Sequence, residues 1–433
     1  MSELKRSLSV WDGLAMVVGI VVGSGIFRTP GIVAAQLGRP ALTFVAWLAG
    51  GLLALVGALI FAELATRYPQ AGGKYVYARE AFGPRAAFVA GWVEALIYAA
   101  AIAAIGTVAG EYLGRLFGLA PDHTTWLASA VVILLTLVNL SGVTMGRWLQ
   151  DVVTAAKVVA LAGVVVVALI AGSGAGWRTS LPSAPRGIAL WGALAISFQS
   201  VIWTYYGYVD AAKIAEEVRD PDRTLPRVFL VGIATVIGLY LLLNAAFLTV
   251  LPFGQIAASR LVAGDVAAAI FGARGGVIVA LLALLVVLAS LNGNIFVTPR
   301  VIFGLARDGL APRVFARINT GGTPWAAMLL IGAAAVALTA TGTFESIVGL
   351  AITEVLLLDG FVVVALFRLR AAQPQAPFRV PWYPVLPLAF LAVYGALFAA
   401  TLREQPLTAV LSAGVITAVG VLSVVVVRPT AKR

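Results

Sequence analysis

Long apolar runs alternate with short polar ones along the whole chain. Twelve runs are long enough to cross a bilayer as a helix, which takes about 20 residues. They lie near 9–37, 41–66, 84–114, 125–142, 148–172, 188–215, 226–251, 275–304, 325–342, 346–368, 382–402 and 407–427. The pattern predicts an all-α membrane protein with 12 transmembrane helices. No polar stretch between the runs is long enough for a separate folded domain. The first run has no small-residue cleavage site after a short apolar core, so it is expected to span and not to be removed as a signal peptide.

Two of the runs are interrupted. In the first, Gly23-Ser24-Gly25 sits near the middle of Leu8 to Leu37. Glycine leaves helical φ/ψ most readily, and backbone that leaves a helix inside a membrane must line a cavity or be buried in protein. A helix broken there exposes free N–H groups at the start of its second half and free C=O groups at the end of its first. Such a break suits a small molecule bearing both a carboxylate and an ammonium. Small residues at this spacing also serve close helix packing, and the segment alone does not decide between the two. In the sixth run, Trp203-Thr204-Tyr205-Tyr206-Gly207-Tyr208 breaks the apolar pattern, and Asp210, Lys213, Glu216 and Glu217 follow. The second break lies about 180 residues after the first. The first and sixth runs thus open two sets of five spans, and five being odd, the sets have opposite orientations. Interrupted spans at matching places in inverted repeats are the best sequence pointer to a transporter's central site. The expected organisation is a first repeat over 1–172, a second over 188–369, and two further helices over 382–427.

Composition agrees. Of 433 residues, 61% are hydrophobic and 11% charged, and the mean hydropathy is +1.00, beyond the range of soluble domains. Cysteine is absent and histidine occurs once, at His123 in a polar turn. Disulfides, thiolate metal sites and cysteine nucleophiles are therefore excluded, and no metal or cofactor is expected. The net charge of +11 raises the question of nucleic acid, but its distribution answers it. With alternating sides, 21 Lys or Arg fall on the side of the two termini and seven on the other, with Arg28 and Lys157 inside spans. That asymmetry places both termini in the cytoplasm and makes anionic lipid the partner of the basic excess.

Lys157 is one of only five lysines among 30 basic residues. It lies ten residues beyond Arg147, on the order of 15 Å into the membrane, where a charge is costly and functional by default. Glu94, Glu354 and Asp359 also fall within spans, either as proton carriers or as partners of loop arginines. Glu63, Glu216 and Glu217 lie near cytoplasmic span ends, where an inner gate with Arg67, Arg300 or Arg307 is expected. Arg28 is expected in an outer vestibule, with Glu111 one candidate partner.

The order of several short motifs resembles the amino acid–polyamine–organocation superfamily, and within it the L-type amino acid transporter branch. They are Gly23-Ser24-Gly25-Ile26-Phe27; Glu63-Leu64 with Pro69-Gln70-Ala71-Gly72-Gly73-Lys74-Tyr75; Gly207 with Glu216-Glu217-Val218-Arg219-Asp220-Pro221 and Thr224-Leu225-Pro226-Arg227; and Ser290-Leu291-Asn292-Gly293, Arg300 and Ala306-Arg307-Asp308-Gly309-Leu310-Ala311-Pro312. The chain departs in having Gly207-Tyr208 where the branch usually has Gly-Trp. The resemblance implies a substrate carboxylate on the amides of Ser24, Gly25 and Ile26. It implies an ammonium at carbonyls near Ile20, Val21, Trp203 and Thr204, with Tyr205 and Gly207 beside them. Trp203 falls at the branch's aromatic gate. Lys157 falls where sodium-coupled relatives hold a cation, bridging the first break to the eighth span, where Ser290 is the candidate partner.

Other classes fit less well. A channel needs a continuous polar path, an enzyme needs a nucleophile–base pair or metal cluster, and a receptor has no need of two broken spans. The expected function is alternating-access transport of neutral L-amino acids across the plasma membrane, without sodium, by exchange or proton symport. Polyamines or cationic amino acids are the alternative; they need carboxylates in the pocket, and none is expected at the breaks. Nothing in the sequence specifies a partner subunit.

Overall fold

The computed structural model describes residues 6–340 and 344–427. The chain begins with α1 (Val10–Val21), α2 (Gly25–Leu37), α3 (Pro40–Arg67), α4 (Lys74–Phe82), α5 (Pro84–Leu116), α6 (Thr124–Leu140) and α7 (Val143–Ala171). It continues with α8 (Ile188–Tyr205), α9 (Pro221–Val250), α10 (Phe253–Ala258), α11 (Val262–Phe271), α12 (Ala273–Val297), α13 (Pro299–Arg307), α14 (Trp325–Thr339) and α15 (Phe344–Ala372). The last two helices are α16 (Val385–Glu404) and α17 (Pro406–Val426). The architecture is all-helical, as a bilayer demands: helices satisfy their own backbone polar groups where no water can.

The sequence sets the boundaries by familiar means. Ser9 and Asp12 form a capping box at the start of α1, with the Ser9 N–H donating to the Asp12 carboxylate at 2.6 Å. Gly38, left-handed at φ 64°, stops α2 two residues before Pro40 opens α3. Pro221 opens α9 in the same way, behind a left-handed Asp220.

Among the described residues, nine helices are long and apolar enough to span, ten if the bent pair α1–α2 is one span. Two of the twelve expected spans, near 125–142 and 325–342, form shorter helices of 17 and 15 residues. Residues 341 and 342 lie outside the described residues. So do Lys5, Arg428, Lys432 and Arg433 at the basic ends, and the side chains of Arg115, Arg147 and Arg274.

Burial sorts the helices. The most apolar window of α5 is 78% buried, against 22% in α17 and 28% in α16. All three are apolar enough to span, the buried α5 being the least apolar, so α5 is the internal post of the bundle, and α16 and α17 turn their valines and leucines outward toward lipid. Around α5 stand α6, α12, α14, α15 and α4, while α9 packs against α3, α1 and α7. Buried amides tie the interior together. Asn139 of α6 donates to Asn292 of α12 (2.7 Å), and Asn292 donates to Gln150 of α7 (3.1 Å). Gln150 donates to Thr154 (3.3 Å), whose hydroxyl donates to the Ala15 carbonyl of α1 (3.2 Å).

One pairing departs from the helical scheme. Residues just before α1 run alongside the segment that follows α8: Leu8 and Val218 form a parallel bridge. The amides of Ser7 and Leu8 donate to the Glu217 carbonyl at 2.9 Å, and the Arg219 amide donates to the Leu8 carbonyl at 2.9 Å.

Candidate substrate site

Helix α1 ends at Val21, α2 begins at Gly25, and their axes differ by 43°. Helix α8 ends at Tyr205, and after Gly207 the chain continues in tight 3-10 turns over Tyr208–Ala212 and Ala215–Glu217. Gly207 has φ 120°, which L side chains rarely adopt, and a Cβ there would lie 2.9 Å from Ile20 Cγ2. A Cβ on Gly25 would lie 2.7 Å from Thr204 Oγ1. The two interruptions therefore abut, each supplying the space that the other's backbone occupies.

A cavity of ≈ 40 Å³ opens between them, and Ile20, Val21, Gly23, Ser24 and Gly25 form its wall on one side. Trp203, Thr204, Tyr206, Gly207 and Asp210 face them, with Ile97, Tyr98, Ala101 and Ile105 of α5 and Ser290 and Asn294 of α12 completing it. The first amides of α2 have no intrahelical acceptor and carry the positive end of its dipole, so this wall is suited to a carboxylate.

Three side chains hold the first break open. The Lys157 ammonium, fully buried, donates to the carbonyls of Gly19 and Val22, the latter at 2.6 Å. Ser290 Oγ donates to the Ile20 carbonyl at 2.8 Å. The Tyr240 hydroxyl of α9 donates to the Val21 carbonyl at 2.7 Å and lies 3.1 Å from the Thr204 carbonyl. Each satisfies a carbonyl that the end of α1 leaves without a helical partner. Lys157 and Ser290 thus hold the same stretch from α7 and α12 by different carbonyls. Tyr240, which touches both breaks, carries no signal in the sequence beyond a tyrosine in an apolar helix.

Most of the residues expected to bind substrate meet at the cavity, but two do not line it. Ile26 lies one residue past its edge, within α2. The Tyr205 ring points away, packed edge-on to Trp47 and tilted against Tyr240 at 5.1 Å. Its neighbour Tyr206 takes the place expected for it. Trp203 is half-buried in the wall. The expectation that no carboxylate stands at the breaks is corrected: Asp210 is in the lining, because the turns after Gly207 swing it inward. It is balanced there by Lys213, 2.7 Å away as an ion pair though without the angle of a hydrogen bond.

Two of the other three intramembrane acids find lysines, not loop arginines. Glu94 lies 3.6 Å from Lys213, and Asp359 2.5 Å from Lys74. Glu354, 6% exposed, has no ion pair among the described residues. Arg28 meets Glu111 at 2.8 Å beside a larger cavity, ≈ 720 Å³, that also touches Gln36, Thr107, Ser259 and Arg260.

At the other end, four acidic–basic contacts tie the polar ends together. Arg67 donates to Glu63 at 2.7 Å, and Glu63 accepts from the Val380 amide at 2.7 Å. Arg307 grips Glu216 with both nitrogens, at 2.7 and 2.9 Å, and Glu216 also accepts from the Ala71 amide. Arg300 donates to Glu217 at 2.6 Å with both side chains buried. Arg79 pairs with Asp308.

Nine or ten apolar spans among the described residues, enclosing a small cavity between two helix interruptions, define a multi-pass membrane protein of the carrier type. The chain belongs to the amino acid permease family, whose profile matches residues 8–426. It is similar to the serine/threonine exchanger SteT of Bacillus subtilis (strain 168), 28% identical over 96% of this chain and 95% of that one. It is also similar to the b(0,+)-type amino acid transporter 1 of Mus musculus, 29% identical over 94% of this chain and 84% of the other. The human cystine/glutamate transporter is 28% identical over 88% of this chain and 77% of its own. The family and these relatives are transporters, not enzymes, and the resemblance to the L-type branch read from the motifs agrees with them.

Proposed function

We propose that the chain is a secondary active transporter that moves neutral L-amino acids across the plasma membrane by alternating access, without sodium. The observation that carries this reading is the pair of helix interruptions abutting across one cavity, with an ammonium fixed in the first. In this reading the spans form two inverted sets of five, with α6 and α14 counted as short spans, α16 and α17 outside the repeat, and both termini cytoplasmic. The carboxylate rests on the amides at the start of α2, the substrate ammonium on carbonyls of the breaks, and Trp203 closes over both. The cavity has room for about three waters, at 10–15 Å³ each. An amino acid therefore enters only as the broken segments part, and a small to medium side chain fits best.

Lys157 takes the place of a bound cation. The carbonyls of Gly19 and Val22 need positive charge beside them, the tethered ammonium supplies it permanently, and it repels sodium from the same volume. The ion pairs around Glu63, Glu216 and Glu217 act as the inner gate.

Asp210 favours a second reading, a cationic amino acid or polyamine, because it places a carboxylate in the wall. Lys213 neutralises it, which supports the neutral substrate. A thermal-shift panel with neutral L-amino acids, their D-forms, putrescine and agmatine separates the two. The neutral reading expects stabilisation by L-forms alone. Stronger stabilisation by the diamines would transfer the assignment to the second. Competition by unlabelled amino acids for uptake into proteoliposomes then identifies the substrate.

A further inference from the structure

A groove on the outside of the bundle lies apart from the substrate site. It has a volume of ≈ 400 Å³ and runs between α5, α15 and α17. Val89 and Val93 of α5, Leu358 of α15 and Ile416 of α17 give it apolar walls. Ala86 and Ala90, one turn apart on α5, and Ser423 on α17 also line it. Side chains that small do not close the gap between the helices. Phe361, 36% exposed, belongs to its open edge. From Arg85 to Val93 the groove follows α5 for about 12 Å. In a bilayer an empty apolar groove forfeits dispersion contacts along its walls, so hydrocarbon fills it.

Its mouth is basic. Arg85, exposed, lines the groove directly. Arg368 is exposed as well, with its guanidinium 5.4 Å from the Phe82 ring, and that ring lies 4.8 Å from Phe361. Phe82 precedes Arg85 by three residues, and Arg368 stands two helical turns beyond Phe361 on α15. The two arginines therefore flank one aromatic pair at the groove's end. Neither has an ion pair among the described residues. Glu80, the acid nearest to Arg85 in sequence, is held by Arg79 at 2.8 Å. The amides of Arg85 and Ala86 open α5 behind Pro84, where no helical acceptor reaches them, and add the positive end of the helix dipole.

We infer that the groove holds an acyl chain of an anionic phospholipid, with the lipid's phosphodiester seated between Arg85 and Arg368. Guanidinium groups suit phosphate oxygens, and basic pockets between membrane helices select lipid headgroups in this way. The chain confers little preference, because the alternative to one hydrocarbon chain is another. Headgroup charge decides. A phosphatidylglycerol brings a net negative charge to two unpaired arginines, whereas a choline headgroup carries its own cation. Once bound, the lipid fills the seam between α5, the buried post, and the outward-facing α17, and braces one on the other. The site stands whatever the substrate is.

The absence of cysteine makes a local test simple. Leu422→Cys, at an exposed position next to Ser423, gives the full chain a single thiol for a bimane label at the groove's rim. The labelled protein is placed in phosphatidylcholine nanodiscs. Phosphatidylglycerol or phosphatidylcholine with the same brominated acyl chains is then added as a rising fraction, and bromine quenches the label on contact. Brominated phosphatidylglycerol should reach half-quenching at a roughly thirtyfold lower fraction, the combined worth of two arginines beside an anionic lipid. Adding Arg85→Gln and Arg368→Gln together should bring the two lipids within about twofold of each other. Excess glycerol phosphate should leave the quenching unchanged; displacement by it would make this a site for free phosphate and overturn the inference. Equal quenching by both lipids, or a preference that survives loss of both arginines, would overturn it as well. So would quenching by neither, which together with a dimer formed on oxidation of the thiol would assign the groove to a second copy of the chain.

Discussion

Single residues decide whether the first interruption is a binding site or a packing device. Gly25 is the sharpest probe. A side chain there both covers the amides at the start of α2 and runs into Thr204, 2.7 Å from where a Cβ would stand. Gly25→Val should abolish substrate binding by thermal shift while the protein still inserts and elutes as a monodisperse peak. Near-normal uptake would mean that the glycine serves packing alone. Lys157 probes the other side of the break. Lys157→Ala removes the donor from the Gly19 and Val22 carbonyls, so transport should fall to background while substrate binding falls less. Unimpaired transport would remove the tethered-cation role. Tyr205 shows what residue-level reading misses. Side-chain direction follows from helical phase, and phase is lost where a helix ends. Two adjacent tyrosines at the break could not be told apart in sequence, and it is Tyr206 that faces the cavity.

At the scale of elements, the interruptions themselves were legible, because glycines and aromatic–polar clusters stand out in an apolar run. So were the acidic and basic residues at the polar helix ends, where Glu216 and Glu217 now stand with Arg307 and Arg300. The pairs inside the bundle were not. Lys74 and Asp359 are 285 positions apart in sequence, and no periodicity says which acid meets which cation. Asp210 was missed for a related reason: the 3-10 turns after Gly207 rotate it inward, and a helical extrapolation does not. The strap that Tyr240 makes across both breaks is testable as an element. Tyr240→Phe keeps the packing against Trp47 and Tyr205 but leaves the Val21 carbonyl short of a donor. A loss of about 1–2 kcal/mol is expected, seen as a lower melting temperature in detergent. Glu217→Ala should cost more, about 3–5 kcal/mol, because it strands Arg300 in a buried position. An unchanged melting temperature would show that Arg300 finds another partner.

For the whole molecule, the all-helical membrane architecture was legible directly, since an apolar run this long is stable chiefly as a helix across a bilayer. Which runs face lipid was not: α5 and α17 both pass as spans, and it is packing that puts one inside and the other outside. The molecule-scale prediction is ionic. Initial uptake should be equal in sodium, potassium and choline media at fixed pH, and a saturable sodium requirement would refute the role given to Lys157. The four residues 216–219 carry a final consequence. Glu216 is held by Arg307 and the Ala71 amide, Glu217 by Arg300 through its side chain and by Ser7 and Leu8 through its carbonyl, and Arg219 by Leu8. These bonds converge on one short tether from three separate parts of the chain: α13, the loop at Ala71 and the residues before α1. Pulling any one of them loose shifts the backbone that the others share, so they fail together, like a knot and not like a zip. In the alternating-access reading, movement at this face is then abrupt: the molecule dwells in one shape or the other, and the first few residues of the chain help to set how long it waits.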